Sequence, residues 1–290
     1  MISRRRFLAI TAAATVAGPA RARPHTWRGH ALGAEVSVRL DMAGDPAPLF
    51  AAIAAELRGI EADFSLYDAD SGLRRLNATG RLALSPRWRA LLPGVDRLHE
   101  ATGGLFDPTV QPLWQALARG GDTGSARAAI GWERVVRDAR TLRLGTGQAL
   151  TLNGIAQGYA TDRIRALLCE AGLDRCLVNI GEFAALGGPW RLGLSDPRHG
   201  HLGHVTLDGT AVATSSPTAD RVGGQAHILH ATARPRWSTV SVVAESAALA
   251  DGLSTALVLA PMAEARRVAR SLPGVRAVRL VDDAGDLMTL

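Results

Sequence analysis

The segment Thr151-Leu152-Asn153-Gly154-Ile155-Ala156-Gln157-Gly158-Tyr159 runs directly into a helical pattern that extends to Glu170 and ends before Gly172. The first backbone N–H groups of a helix have no partner within it, so they suit a phosphate. The irregular backbone in front of the helix also leaves carbonyl oxygens available to a hard cation. The segment matches no simple phosphate-binding motif, so its interpretation depends on the rest of the chain.

The elements predicted on both sides of this segment mix helices with short strands. Apolar spacing predicts helices over residues 48–66, 86–101, 247–259 and 262–271. Alternation and short apolar runs predict strands over residues 31–40, 177–180, 192–194, 205–207, 211–214, 239–243 and 275–281, with short strands joined by turns over 132–152 and a loose loop over 120–125. Strands and helices do not alternate regularly, so the predicted class is α+β, a single domain with mostly antiparallel sheets over residues 23–290.

The composition excludes several functional classes. Hydrophobic residues make up 47% of the 290 residues and charged residues 21%, which is typical of a globular protein and not of a disordered chain or a coiled coil. All 33 basic residues are arginine. The absence of lysine from the sequence excludes a Schiff-base lysine, a Walker-A phosphate loop and a lysine general base.

The amino terminus has the three parts of an export signal in order. Ser3-Arg4-Arg5-Arg6-Phe7-Leu8 matches the twin-arginine pattern, an apolar run follows over residues 9–17, and Ala20-Arg21-Ala22 is a small-x-small cleavage site. Cleavage after Ala22 lowers the net charge from +6 to +2, which argues against a basic nucleic-acid-binding protein. We therefore predict a twin-arginine signal over residues 1–22, a periplasmic protein and, without a cysteine near the cleavage site, no lipid anchor.

Three further segments carry residues with possible chemistry. Tyr67 follows a predicted helix end, where its ring can stack on a planar ligand or lie half-buried at the surface. Asp107 is either a fixed hydrogen-bond acceptor for a ligand or part of a plain Asp-Pro turn. It lies in the segment Thr102-Gly103-Gly104-Leu105-Phe106-Asp107-Pro108-Thr109. Asp251 and Thr255 are four residues apart and share a helix face, so they can supply half of an oxygen-only Mg²⁺ site. The alternative interpretation is an acidic residue at a helix N-terminus and a surface threonine.

Histidine and cysteine residues leave open interpretations. His227 and His230 are spaced for zinc, but no third clear ligand lies nearby in the sequence. The histidines at 199, 201 and 204 are expected to be exposed. Cys169 and Cys176 can form a disulfide in an oxidising compartment, although two buried small hydrophobic residues is the preferred interpretation.

Taken in order, these segments resemble the ApbE family of FAD:protein FMN transferases over nearly the whole predicted mature chain. The matching residues are Leu32-Gly33-Ala34, Ser65-x-Tyr67 with Ser71 and Asn77, Gly104-Leu105-Phe106-Asp107-Pro108-Thr109, Gly154-Ile155-Ala156-Gln157-Gly158-Tyr159 with Asp162, Val178-Asn179-Ile180-Gly181, His227-Ile228, and Ala250-Asp251 with Thr255. Each match alone is weak, but seven in the same order are specific.

The chain departs from the family pattern at three places. Gln157 replaces the usual lysine, Glu182 replaces the second glycine after Asn179, and His230-Ala231 replaces an Asp-Pro pair. The segments 153–158 (Asn-Gly-Ile-Ala-Gln-Gly) and 179–183 (Asn-Ile-Gly-Glu-Phe), with the twin-arginine signal and no lipid-anchor cysteine, resemble the NosX-type branch, which serves nitrous oxide reductase maturation.

The resemblance implies an ApbE-like, T-fold-related domain that transfers FMN from FAD to a threonine of an acceptor protein and releases AMP, with Mg²⁺ as cofactor. It implies FAD contacts from Leu32, Tyr67, Leu105, Phe106, Asp107, Thr151, Gln157 and Ile228, and metal ligands from the Gly154 carbonyl, Asp251 and Thr255. His227 is the candidate base, and the implied acceptor is a flavoprotein, a membrane-bound NosR-like protein. The alternatives are a periplasmic FAD-binding carrier without transferase activity, supported by the three departures, and a binding protein without flavin.

Overall fold

The computed structural model describes residues 23–290, and the predicted export signal lies outside these residues. In chain order, the strands are β1 (Arg23–Ala31), β2 (Ala34–Met42), β3 (Arg81–Ala83), β4 (Val136–Arg137), β5 (Thr141–Arg143), β6 (Cys176–Asn179), β7 (Phe183–Leu186), β8 (Trp190–Asp196), β9 (Gly200–Leu207), β10 (Ala211–Ser215), β11 (Arg221–Val222), β12 (Gln225–Ala226), β13 (Thr239–Ala244), β14 (Val275–Val281) and β15 (Leu287–Thr289). The helices are α1 (Ala47–Phe64), α2 (Gly72–Thr79), α3 (Pro86–Ala101), α4 (Gln111–Arg119), α5 (Thr123–Ala128), α6 (Ala156–Glu170), α7 (Ala247–Leu257) and α8 (Met262–Ser271).

An eight-stranded sheet organises the described chain, with the strand order β1-β2-β6-β7-β10-β13-β14-β15. Each neighbouring pair in it is antiparallel. Strands β3, β5 and β4 form a small second sheet, while β8–β9 and β11–β12 are separate two-stranded ribbons. The mixture of helices and antiparallel sheets in one domain confirms the α+β prediction.

The two faces of the large sheet pack against different partners, because successive strand residues point to opposite sides. Val36, Val38 and Leu40 of β2 face the main core, which the helices complete. Leu177 of β6 and Val212 of β10 face the other way and pack against the β8–β9 hairpin. The candidate ligand segments lie at the ends of elements on the helical side.

Helices α6 and α7 approach each other unusually closely at Gly158. A Cβ atom at this position would lie 2.7 Å from the Cα atom of Ala248. Asp162, one turn further along α6, accepts hydrogen bonds from the backbone N–H groups of Ala247 and Ala248, both at 2.9 Å, and so caps α7. The contact fixes the beginning of α6 relative to α7.

The predicted element bounds agree with the structure for long periodic segments and differ at turns. Helices α3 and α8 and strand β14 have the predicted bounds. The strand predicted over residues 31–40 is instead a hairpin that turns at Leu32 and Gly33, whose φ angles are 50° and 78°. The loop prediction over 120–125 is wrong in its second half, because Asp122 caps α5 by accepting from the Gly124 and Ser125 N–H groups.

The cysteine interpretation is half wrong. Both thiols are free in the structure, and Cys176 is buried as expected, but Cys169 is exposed near the end of α6. Burial raises the pKa of the Cys176 thiol to about 12, so this residue behaves as a small apolar side chain. Within residues 23–290, no helix has both the length and the apolar character needed to cross a membrane.

We predict that Gly158→Ala destabilises the protein, because the new methyl group would overlap the backbone of α7. The expected loss of unfolding free energy is about 1–3 kcal/mol, measured by urea denaturation. Gly94→Ala in α3 is the matched control, since its Cβ atom would meet only the Ile155 Cδ1 atom at 3.8 Å. The control should be neutral or slightly stabilising. Equal stability of the two variants would contradict the close α6–α7 contact.

Candidate functional site

The Tyr67 ring lies against Gly33, next to Leu32, at one edge of the site. The Tyr67 side chain is 76% exposed, and its Cε2 atom would lie 3.1 Å from a Cβ atom on Gly33. Ser65 shapes the turn that presents this ring, because its Oγ atom accepts from the Tyr67 and Asp68 N–H groups at 3.0 and 3.1 Å. Leu32 has a left-handed backbone, which is uncommon for a residue other than glycine. The corner therefore offers an exposed aromatic face beside an apolar side chain.

Residues 103–109, which we call the aspartate loop, are held rigidly by Asp107. Its Oδ1 atom accepts from the Thr109 N–H at 2.8 Å and from the Thr109 hydroxyl at 2.5 Å. Its Oδ2 atom accepts from the Trp132 N–H at 3.2 Å. Phe106 is buried, whereas Leu105 is half-buried. The carboxylate thus organises its own turn, and any ligand contact adds to this structural role.

The segment before α6 is anchored to the aspartate loop. The Thr151 N–H donates to the Pro108 carbonyl at 2.8 Å. One residue earlier, the Asn77 amide accepts from the Leu150 N–H at 2.7 Å and donates to the Leu150 carbonyl at 2.8 Å. Thr151 is thereby tied to Pro108, the residue that follows Asp107.

The three predicted metal ligands lie together at the α6–α7 contact. A Cβ atom on Gly154 would lie 3.1 Å from the Thr255 Oγ1 atom, so the Gly154 backbone lies against this side chain. Asp251, one turn before Thr255, is 4% exposed, and its Oδ2 atom accepts from the Gly158 N–H at 3.0 Å. A carboxylate, a hydroxyl and a backbone carbonyl are oxygen donors of the kind that Mg²⁺ prefers. The donor set therefore fits this ion.

Two serines beside Thr255 were not predicted from the sequence. The Ser215 Oγ atom, at the end of β10, lies 2.8 Å from the Ser254 Oγ atom and 3.4 Å from the Thr255 Oγ1 atom. Ser254 also donates to the Asp251 carbonyl at 3.0 Å. These contacts fix the orientation of the Thr255 turn of α7. Among residues 23–290, no group of three His, Cys, Asp or Glu side chains is placed to hold a metal ion.

Gln157 supplies a buried donor that has no protein partner. The residue is 6% exposed, and its Nε2 atom lacks a hydrogen-bond partner. The side chain lies over Gly181, where a Cβ atom would be 2.6 Å from the Gln157 Nε2 atom. An unsatisfied buried amide costs about 1–3 kcal/mol unless a ligand accepts from it. The orphaned amide lies at the start of α6, in the segment that carries predicted FAD contacts.

Glu182, the second departure from the family pattern, is buried in the same region. It is 9% exposed, and its Oε2 atom accepts from the Thr214 N–H at 3.3 Å. The Thr161 hydroxyl of α6 donates to the Glu182 carbonyl at 3.1 Å. The two departures at Gln157 and Glu182 thus flank Gly181 between α6 and β10.

His227 has a defined tautomer. Its Nδ1 atom lies 3.0 Å from the Pro217 carbonyl and 3.3 Å from the Asp220 carbonyl, so Nδ1 carries the proton as donor. In the neutral ring the lone pair is therefore on Nε2, the nitrogen that a general base would use. Pro217, which accepts from His227, lies two residues after Ser215, which contacts Thr255. His227 is therefore connected to the Thr255 region through this short segment.

His99 contacts the aspartate loop and Arg127 contacts the chain at His230, and none of these three residues was predicted as part of the site. The His99 Nδ1 atom donates to the Phe106 carbonyl at 2.9 Å. The Arg127 Nη1 atom donates to the carbonyls of His230 and Ala231 at 3.2 and 2.6 Å. Burial lowers the pKa of His230. In the sequence, the departure at His230-Ala231 and the spacing of His227 and His230 marked this region.

Comparisons with known proteins identify the family to which this chain is similar. The ApbE family pattern matches residues 32–279. An FAD:protein FMN transferase of Rhodobacter capsulatus is 30% identical over 255 residues, 76% of this chain, and one of Salmonella typhimurium is 27% identical over 242 residues, 71% of this chain. The matched region spans 44% of the length of the first relative and 69% of the second.

Solved structures extend the likeness to the whole fold. The apo form of the Pseudomonas stutzeri flavinyl transferase ApbE superposes with a TM-score of 0.81 at 26% identity, covering 94% of this chain and 96% of that one. The Thermotoga maritima ApbE protein gives 0.78 at 27% identity, covering 92% and 96%. With its fold, its ordered motifs and its gathered oxygen donors, the chain belongs to the ApbE family.

Proposed function

We propose that the protein is an Mg²⁺-dependent FAD:protein FMN transferase. One observation carries the proposal: Gly154, at the start of α6, lies against Thr255 of α7, with Asp251 alongside. The names of its relatives support FAD as the flavin donor. The orphaned Gln157 amide supports a ligand at the same place.

Different groups of residues are assigned to the metal, the flavin and the proton transfer. Gly154, Asp251 and Thr255 would hold Mg²⁺, which when bound neutralises pyrophosphate charge and orients the attacked phosphorus. The flavin side of the site is lined by Tyr67, Leu32, the aspartate loop and Ile228. The threonine oxygen of the acceptor bonds to the FMN phosphorus as the bond from that phosphorus to the AMP oxygen breaks. The hydroxyl proton passes to the Nε2 atom of His227, and AMP leaves with the bond electrons.

The location and the partner are further parts of the proposal. The sequence of the first 22 residues supports export by the twin-arginine pathway to the periplasm. The segments 153–158 (Asn-Gly-Ile-Ala-Gln-Gly) and 179–183 (Asn-Ile-Gly-Glu-Phe), together with the predicted twin-arginine signal, support the NosX-type branch, with a membrane-bound NosR-like flavoprotein as acceptor. Purified protein incubated with FAD, Mg²⁺ and a threonine-containing acceptor peptide should release AMP and make the peptide fluorescent. FAD binding without AMP release would favour a flavin carrier instead.

Asp251→Asn should reduce Mg²⁺-dependent AMP release by roughly 100-fold or more, because the ion loses its charged ligand. Asparagine keeps an oxygen that accepts from the Gly158 N–H, so the helix contact is retained. The measurement is AMP release against Mg²⁺ concentration. Asp283→Asn is the control, since this side chain is 79% exposed and pairs with Arg198. Full activity of Asp251→Asn would contradict the metal assignment.

Gln157→Met should weaken FAD binding by about tenfold, or 1.4 kcal/mol, without destabilising the FAD-free protein. The variant removes a buried donor that has no protein partner. Flavin fluorescence quenching and urea denaturation give the two values. Gln148→Met is the matched control, because the Gln148 amide is bonded at both ends, to Gly131 and Gly145 at 2.6 and 2.8 Å. The control should lose stability and keep its FAD affinity; the same pattern at Gln157 would refute the assignment.

His227→Ala should slow FMN transfer by about 100-fold or more, the usual contribution of a general base. FAD binding should persist, since the imidazole is assigned to the acceptor hydroxyl and not to the flavin. Rapid-mixing assays separate the two steps by following fluorescence change on FAD binding and then AMP release. His204→Ala, an exposed histidine of β9, should behave like the unmodified protein. Unchanged transfer by His227→Ala would assign the base elsewhere.

A further inference from the structure

Three consecutive hydroxyl residues, 214–216, end β10 and begin the turn after it. Successive strand residues point to opposite sides of a sheet. The Thr214 hydroxyl oxygen accordingly lies 2.9 Å from that of Ser241 on β13, and Ser216 lies in the same way 2.7 Å from Thr239. Ser215 points to the other side, toward α7. The period of the strand therefore places its hydroxyl beside the helix that carries two of the predicted metal ligands.

The Ser215 hydroxyl lies between two hydroxyls of α7. Its Oγ atom is 2.8 Å from the Ser254 Oγ atom and 3.4 Å from the Thr255 Oγ1 atom. The Ser254 Oγ atom is in turn 3.0 Å from the backbone carbonyl oxygen of Asp251. Four oxygens thus form one continuous row, which begins at half-buried Thr255 and passes through fully buried Ser254. Both ends of the row belong to residues that are assigned to the metal.

The directions of the hydrogen bonds in this row follow from a count of protons. A hydroxyl has one proton to donate and two lone pairs that accept, whereas a carbonyl oxygen only accepts. Ser254 donates its proton to the Asp251 carbonyl, so it accepts from Ser215. Ser215 then has no proton left for Thr255 and can only accept from it. The row therefore runs in one direction, from the Thr255 hydroxyl to the Asp251 carbonyl.

This direction prepares the Thr255 oxygen for a cation. An oxygen ligand binds a metal ion through a lone pair, so the hydroxyl proton must point elsewhere. Because the Thr255 proton points at Ser215, both lone pairs of the Thr255 oxygen are available. Without this acceptor, a threonine hydroxyl in a helix turns to a carbonyl of the preceding turn. Hydrogen bonds in a row also polarise one another, which makes the first oxygen a better donor of electrons to an ion.

We propose that Ser215 is a positioning residue for Mg²⁺, which accepts the Thr255 proton and so holds the Thr255 hydroxyl in the orientation that binds the ion. This inference rests on the proposed function, in which Thr255 is a metal ligand. Ser215 acts through Thr255, and Ser254 acts through Ser215 by accepting its proton. The strand that ends at Ser215 therefore contributes to metal binding, although none of its residues is assigned as a ligand.

The test is the dissociation constant for Mn²⁺, which replaces Mg²⁺, measured by electron paramagnetic resonance with and without FAD. Ser215→Ala should weaken Mn²⁺ binding by about tenfold, as expected when a group that orients a metal ligand is removed. Ser215→Thr keeps the hydroxyl and should bind Mn²⁺ about as tightly as the unmodified protein.

Ser216→Ala is the matched control, since its hydroxyl pairs with Thr239 and not with α7. Each alanine variant loses one hydroxyl contact of similar length, so both should lose a similar stability in urea. Only Ser215→Ala should lose affinity for Mn²⁺. Equal Mn²⁺ affinity of the two alanine variants would overturn the positioning role of Ser215.

A double-mutant cycle tests the row as a unit. Ser254→Ala removes the acceptor of the Ser215 proton, which can then turn toward Thr255, and should weaken Mn²⁺ binding by about threefold, the equivalent of one neutral hydrogen bond. The double variant should bind Mn²⁺ no more weakly than Ser215→Ala alone, because both changes act through one row. Additive losses would overturn the row and leave the metal site standing. If the unmodified protein with FAD bound no Mn²⁺, the proposed metal site would be refuted, and this inference with it.

Discussion

The hydrogen bond from the Gly158 N–H to the Asp251 carboxylate is the interaction on which the site depends. It joins residues 93 positions apart at 3.0 Å, and it forms because Gly158 has no side chain to hold the two helices apart. Because the beginning of α6 packs against α7, the Gly154 backbone, the Thr255 hydroxyl and the Asp251 carboxylate lie along the same contact between the two helices. The capping of α7 by Asp162 reinforces this alignment.

Many residues of the family pattern serve the fold at least as much as the chemistry. Asn77 clamps the backbone before α6, Ser65 shapes the Tyr67 turn, and Asp107 uses both oxygens within and beside its own loop. Such contacts keep irregular segments in place, because buried backbone groups outside helices and sheets need side-chain partners. The family pattern therefore specifies the geometry of these loops as well as the side chains predicted to face the ligand.

The sequence predicted the features that depend on local periodicity. Helices α3 and α8 have the predicted bounds, and Asp251 and Thr255 share a face because they lie one helical turn apart. Contacts between elements that are distant in the chain could not be predicted from local periodicity. The approach of Gly154 to Thr255, the serine pair at Ser215 and Ser254, and the orphaned Gln157 amide all arise between elements that are distant in the chain. The left-handed Leu32 was also unpredictable, since leucine seldom adopts that backbone.

The most direct test of the account is the position of a divalent ion in crystals grown with FAD and Mn²⁺, which replaces Mg²⁺ and is visible by anomalous scattering. The account predicts one strong peak about 2.0–2.3 Å from oxygens of Asp251, Thr255 and the Gly154 carbonyl, and in contact with the pyrophosphate. A peak bound to the pyrophosphate but remote from these three residues would contradict it.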